Sequence, residues 1–265
     1  MSECLKVKEP LVSPAFHPLA IGNPGDKRPT PEQISTVVSI LIDAGICCCF
    51  VLEYALIYYG AARVPNDRAL CIPDEHLKLA VELFTSRSDI LEPCGPLPLH
   101  TPNSLNHKYP RFKAIGRTDF WQLLPASYCH IACLPSNIEW SKGALPYPKL
   151  PEYVQSLIDT NDLGNLDDLV DGMDLSEEWG QTNLNLEGHT DTKWAKDTID
   201  AHRADGVEEM FIFIDPDPIP RRQIWQKCIR NKQRRMGWKY SPEIYSSRFR
   251  RHGSKDPRTR YRYGL

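Results

Sequence analysis

The sequence predicts an α/β fold, of the α+β kind: a mixed sheet flanked by helices in the front half and a helical rear half. Three observations carry this. Residues 47–52 and 69–72 are short, uniformly apolar runs with the length and composition of strands covered on both faces. A helix-length segment, 53–59, separates them and stops at Gly60. From Pro148 onward the apolar spacing becomes helical.

Residues 1–28 hold Pro and Gly without periodicity and read as an extended or disordered arm. A helix begins sharply after them. Thr30 suits the N-cap and Pro31 the first helical position, while Glu32 and Gln33 favour the positive end of the dipole. Ile34, Val37, Val38 and Leu41 recur at helical spacing, and Gly45 is a natural terminator. After the two strands, Asp74 reads as the cap of a helix running to Phe84, with Leu77, Ala80, Val81 and Phe84 inward. Residues 92–110 are Pro-rich and read as a long loop. Residues 111–115 and 119–124 read as a hairpin closed at Gly116–Arg117, and 130–134 as a last core strand. Helices are expected over 150–158, 166–172, 175–183 (capped by Asp174), 193–202, 224–236 and 242–251, with a short strand over 210–214. The organisation expected is an arm (1–28), an α/β core (29–147) and a helical region (148–265).

The 265 residues carry a formal net charge of −2, which conceals an asymmetry. Residues 152–217 hold 18 acids against 3 Lys/Arg, and residues 221–265 hold 15 Lys/Arg against 2 acids. Docking of the basic tail on the acidic segment is the favoured reading. Nucleic-acid contact through interleaved Arg, Trp and Tyr, and a nuclear-localisation role for the cluster Lys232, Arg234 and Arg235, are the others. The nine Cys, three of them consecutive, do not form a disulfide framework, because neighbours on a strand point to opposite faces. Reduced, buried thiols in a cytoplasmic or nuclear protein fit them. Zinc on Cys129, His130 and Cys133, with His100 or His107, is disfavoured, since Cys-His-x-x-Cys is not a structural-zinc spacing and alternating strand residues diverge. The apolar stretch 34–62 is broken by Asp43 and Glu53 and does not read as a membrane span; no signal peptide is expected either.

The chemistry-bearing residue is Asp67, at the start of the second apolar strand. Phosphoryl or nucleotidyl transfer needs two or three carboxylates at such an edge, holding divalent metal against the phosphates. Alternate strand positions face the same way, but position 69 is Ala. As a bland alternative, Asp67 makes only local backbone hydrogen bonds. Arg63 could bind phosphate or pair with an acid, and the ion pair is favoured.

The run Ala55-Leu56-x-x-x-Gly60, then Arg63, then Asp67, resembles the nucleotidyltransferase superfamily in its minimal, antitoxin-like form. The phrases Tyr58-Tyr59-Gly60-Ala61, Leu145-Pro146-Tyr147-Pro148-Lys149-Leu150, Asp171-Gly172-Met173-Asp174-Leu175 and Lys232-Gln233-Arg234-Arg235-Met236-Gly237-Trp238 are similar to a group of fungal proteins with that fold. The resemblance implies a glycine pair at Leu52 and Glu53, nucleotide binding at Gly60 and Arg63, and a first metal carboxylate at Asp67. It implies a second carboxylate at Ala69 and a third on a later strand, placed at Ala132 within 130–133. Of three expected carboxylates only Asp67 is present. The function expected is therefore a nucleotidyltransferase-like protein that is catalytically impaired or inactive and serves as a binding or accessory protein. The alternatives are an active enzyme moving a nucleoside monophosphate from NTP with Mg²⁺ at Asp67, and a nucleic-acid-binding protein acting through its tail.

Overall fold

A computed structural model of the chain describes residues 29–96 and 104–259. The expected arm and His100 lie outside the described residues. The protein is an α/β fold built on a mixed five-stranded sheet with flanking helices.

Helix α1 (Pro31–Asp43) starts as its sequence dictates. Thr30 accepts from the Gln33 backbone N–H while the Gln33 side chain accepts from the Thr30 N–H, a capping box. Gly45 ends it at φ +74°. Of the run 47–52, residues 48–51 are buried and Cys47 and Leu52 half-buried, and only β1 (Cys49–Phe50) pairs in the sheet. Helix α2 (Glu53–Tyr58) follows, and then β2 (Arg68–Ile72), buried at all five positions. Gly60 closes α2 at φ +95°. A Cβ there would stand 2.6 Å from the Gly172 carbonyl oxygen, and a Cβ on Gly172 would stand 2.6 Å from the Tyr59 oxygen. The two glycines therefore let the end of α2 and the rear of the chain touch backbone to backbone.

Asp74 does not cap its own helix, α3 (Leu77–Ser86). Its carboxylate instead accepts from the Ser127 N–H (3.0 Å) and hydroxyl, tying the start of that helix to the end of the sheet. The expected loop 92–110 contributes strand β3 (Leu91–Cys94). Pro93 is tolerated there because β3 is an edge strand. The hairpin β4 (Arg111–Ala114) and β5 (Phe120–Pro125) forms as expected. The sheet order is β1-β2-β5-β4-β3, with β2 and β5 parallel and the other neighbours antiparallel.

Residues 130–134 are not a strand. Helix α4 (Ala126–Cys129) ends at His130, which adopts left-handed backbone (φ +52°) and turns the chain aside. A hairpin that short apolar periodicity does not announce, β6 (Ile138–Trp140) and β7 (Pro146–Pro148), comes next. Then follow α5 (Leu150–Asp159), α6 (Leu163–Met173), α7 (Glu177–Asn183) and α8 (Thr192–Ala204). Asp174 is the left-handed end of α6 rather than the cap of α7; Ser176 caps α7, accepting from the Trp179 N–H. Residues 209–211 form a single 3-10 turn in place of the expected strand. The expected helix 224–236 divides at Asn231 into α9 (Arg221–Arg230) and α10 (Lys232–Met236). The expected helix 242–251 is instead a small hairpin, β8 (Tyr245–Ser247) and β9 (Arg250–Arg251). That segment has no apolar stripe at helical spacing, and Ser247 gives its hydroxyl to the Asp171 carbonyl (2.5 Å).

One buried apolar cluster runs from Ile34 to Cys228 and joins both halves of the chain. Above it, the basic tail closes on the acidic segment. Arg221 pairs with Asp159 (2.6 Å), Lys232 with Asp174 (2.5 Å), Arg235 with Asp167 and Asp171 (both 2.8 Å) and Arg248 with Asp168 and Asp171 (2.5 and 2.6 Å); Arg222 pairs with Glu187. This is the docking that the charge asymmetry favours, and it engages Lys232 and Arg235 of the cluster Lys232, Arg234 and Arg235. Among the described residues no helix is long and apolar enough to cross a membrane.

Candidate ligand cavity

A cavity of about 650 Å³ opens above the start of β2, walled by the sheet on one side and by α5, α8 and the turn into α6 on the other. A cross-strand row forms part of the sheet wall, with Leu124 of β5 beside it. Val51 donates its N–H to the Ala69 carbonyl (3.0 Å), Ala69 pairs with Gln122 on β5, and Gln122 pairs with Arg111 on β4. Asp67, two residues before Ala69, lines the same cavity, as strand alternation requires.

Asp67 is buried and held by Arg111. The guanidinium Nε–H meets Oδ2 at 2.5 Å and Nη2–H meets Oδ1 at 3.1 Å, a two-pronged ion pair. Arg111 also donates to the Gly95 carbonyl (3.2 Å) and lies over the Phe120 ring at 3.8 Å. Burial would pull the Arg111 pKa down, but its bonds to Asp67 outweigh that and raise it. The reading of Asp67 as a residue with only local backbone bonds is thus replaced by a pair reaching 44 residues along the chain.

The resemblance places further carboxylates at 69 and 132. Ala69 stands on the sheet wall beside Asp67. Ala132 lies on no strand, so it cannot occupy a strand position beside β2; the strand parallel to β2 is β5, and the residue facing Ala69 is Gln122. Gln122 gives its side-chain N–H to the Asn106 carbonyl. Gly60 and Arg63 do not line the cavity. Gly60 serves the backbone contact with Gly172, and Arg63 pairs with Asp168 and donates to Asn165 (3.1 Å), the ion-pair outcome.

Leu52 is the most informative wall residue. It opens α2 at φ +55°, ψ −134°, a conformation that side chains resist and glycine accepts readily. Its carbonyl accepts from the Tyr153 hydroxyl (3.3 Å), which anchors the turn to α5. Leu52→Ala is expected to lose packing and keep the strain, whereas Leu52→Gly relieves it. The glycine variant should therefore be the more stable of the two by about 1 kcal/mol, read by urea unfolding.

The opposite wall is polar and aromatic. Asp162 caps α6 through the Asn165 N–H (3.2 Å) and also accepts from its side-chain amide (2.7 Å). Burial raises its pKa although these bonds oppose it. Asp191 caps α8 by accepting from the Lys193 and Trp194 N–H groups (3.0 and 2.9 Å), and this places Trp194 at the cavity. Among the described residues the lining contains four carboxylates, on Glu53, Asp67, Asp162 and Asp215, and no Lys or Arg; its His107 is paired with Asp205 (2.9 Å). These acids do not converge. Among the described residues the group of three His, Cys, Asp or Glu ligand atoms close enough to share an ion is made of cysteines. Sequence reasoning missed Arg111, Gln122 and the α5–α8 wall, which no local motif signals.

Comparison of the chain with models of known protein families gives no match, and comparison with curated proteins gives none.

Proposed function

We propose that the chain is a nucleotidyltransferase-like protein that does not transfer nucleotides and uses the cavity to bind a small polar molecule of neutral or positive charge. The observation that carries this reading is the Asp67–Arg111 pair. Both carboxylate oxygens that would hold a divalent ion are taken by a buried guanidinium. Mg²⁺ does not fit this donor set: the neighbouring wall positions are Ala69 and Gln122, and a site for Mg²⁺ with nucleotide draws on one or two free carboxylates. Two features support the scaffold part of the reading. The strand–helix–strand arrangement puts Asp67 and Ala69 on one cavity wall, and Leu52 holds glycine-type backbone at the position where the resemblance implies a glycine.

The charge of the lining argues for the ligand class. Among the described residues of the lining, a triphosphate entering without metal would meet carboxylates and no Lys or Arg, whereas an amine or polyol would find acceptors, the amides of Asn66 and Asn165, and the Trp194 ring. Calorimetry on the full chain tests this. Mg-ATP is expected to give no heat above dilution, and Ala69→Asp/Gln122→Asp is expected to gain Mg²⁺-dependent nucleotide binding only when Arg111→Ala is added. Tight Mg-ATP binding by the unaltered protein, lost in Asp67→Ala, would establish the metal-dependent enzyme instead.

A further inference from the structure

We infer that Cys49, Cys71 and Cys133, with Cys47 or Cys129 as a further ligand, form a binding site for a thiophilic closed-shell ion, zinc(II) or copper(I). Three separate segments bring these residues together. Cys49 and Cys71 sit directly opposite one another on the antiparallel strands β1 and β2. Cys133 arrives from the segment after α4, where its thiol reaches the Cys71 carbonyl at 3.5 Å. The three sulfurs lie within 4.8 Å of one another. Thiolates around zinc, at metal–sulfur distances of about 2.3 Å, stand roughly 3.8 Å apart, so small side-chain rotations suffice.

The cluster does not stop at three. Cys47 lies near enough to Cys133, and Cys129 to Cys71, to interact with it electrostatically. Cys47 is half-buried and Cys129 lines the ligand cavity, so the sulfurs extend from near the surface to the cavity wall. Cys48, between two members, is buried but outside the trio, as alternation along the strand dictates. The objection that neighbouring strand residues diverge does not apply to the trio, because its three members come from different segments, and Cys47 stands two residues from Cys49, not next to it. Soft sulfur donors with no carboxylate or imidazole among them select zinc and copper(I) over magnesium or calcium. On binding, each coordinating thiol releases its proton to solvent as its metal–sulfur bond forms, with no change of oxidation state. The ion would then join β1 and β2 to the segment that carries α4.

The test uses the full chain, produced in medium supplied with zinc and separately with copper, and purified under anaerobic, reducing conditions. Mass-spectrometric metal analysis is expected to find close to one ion per chain from at least one medium. A zinc-selective or copper(I)-selective chelator distinguishes the two, and its removal of the ion should lower the melting temperature. Cys71→Ser and Cys133→Ser should lose the metal, while Cys228→Ser, whose thiol is held by Asp167 far along the chain, should keep it. Should the serine variants fail to fold, cobalt(II) titration of the unaltered, metal-stripped protein still decides, through the sulfur-to-cobalt charge-transfer band. Metal-free protein from both media together with no such band would overturn the proposal and leave the thiols as core packing.

Discussion

Asp171→Ala is expected to be the most damaging single substitution in the rear half of the chain. Asp171 is completely buried and is the hub of the clasp between the acidic and basic segments. Arg235 approaches it with Nε at 2.8 Å and Nη2 at 2.8 Å, and Arg248 adds Nε at 2.6 Å. Losing the carboxylate leaves two partly buried guanidinium groups with one acid partner each, Asp167 and Asp168, and breaking a buried pair costs about 3–5 kcal/mol. Asp171→Asn should recover little, because the amide can accept one bond but supplies no charge. Urea unfolding would measure the loss. Limited proteolysis should cut first near the β8–β9 hairpin, since Arg248 and the Ser247 hydroxyl are its ties to α6. An Asp171→Ala protein as stable as the original would mean that Asp168 alone holds Arg248 and that the clasp is redundant.

Arg111→Leu is the second large effect, expected at about 3–5 kcal/mol for the same physical reason, an unpaired charge left in the interior. Here a compensating change separates pairing from packing. Asp67→Leu/Arg111→Leu removes both charges, and replacing a buried pair by apolar groups of similar volume is often neutral or better. The double variant should therefore melt closer to the unaltered protein than Arg111→Leu does. Equal melting of the two would show that Arg111 matters through its bond to Gly95 and its stacking on Phe120 rather than through Asp67.

Much of the front half was legible residue by residue. Thr30, Pro31 and Gly45 bracket α1 because capping and left-handed termination depend on local chemistry. The β4–β5 hairpin and the α2 stop at Gly60 were readable for the same reason. What failed depended on distant partners. Asp74 and Asp174 are good local caps, yet one turns to Ser127 and the other to Lys232. The hairpin β8–β9 forms where its side chains meet α6, which no periodicity within 242–251 reveals. At the candidate site, Asp67 and Ala69 were found by spacing, but Arg111 and Gln122 become neighbours only through strand order. Cys133 joins Cys49 and Cys71 because His130 turns the chain, a backbone event that a run of apolar letters disguises as a strand.

That the described residues of the cavity lining include no Lys or Arg has a kinetic consequence as well. Under the proposed reading, Glu53 and Asp215 would favour the approach of positively charged solutes over anions. Association of a cationic ligand should thus accelerate as ionic strength falls, while its dissociation, governed by contacts inside, changes far less. Phosphate or sulfate in a buffer would act on that encounter by screening and not by competing for the site.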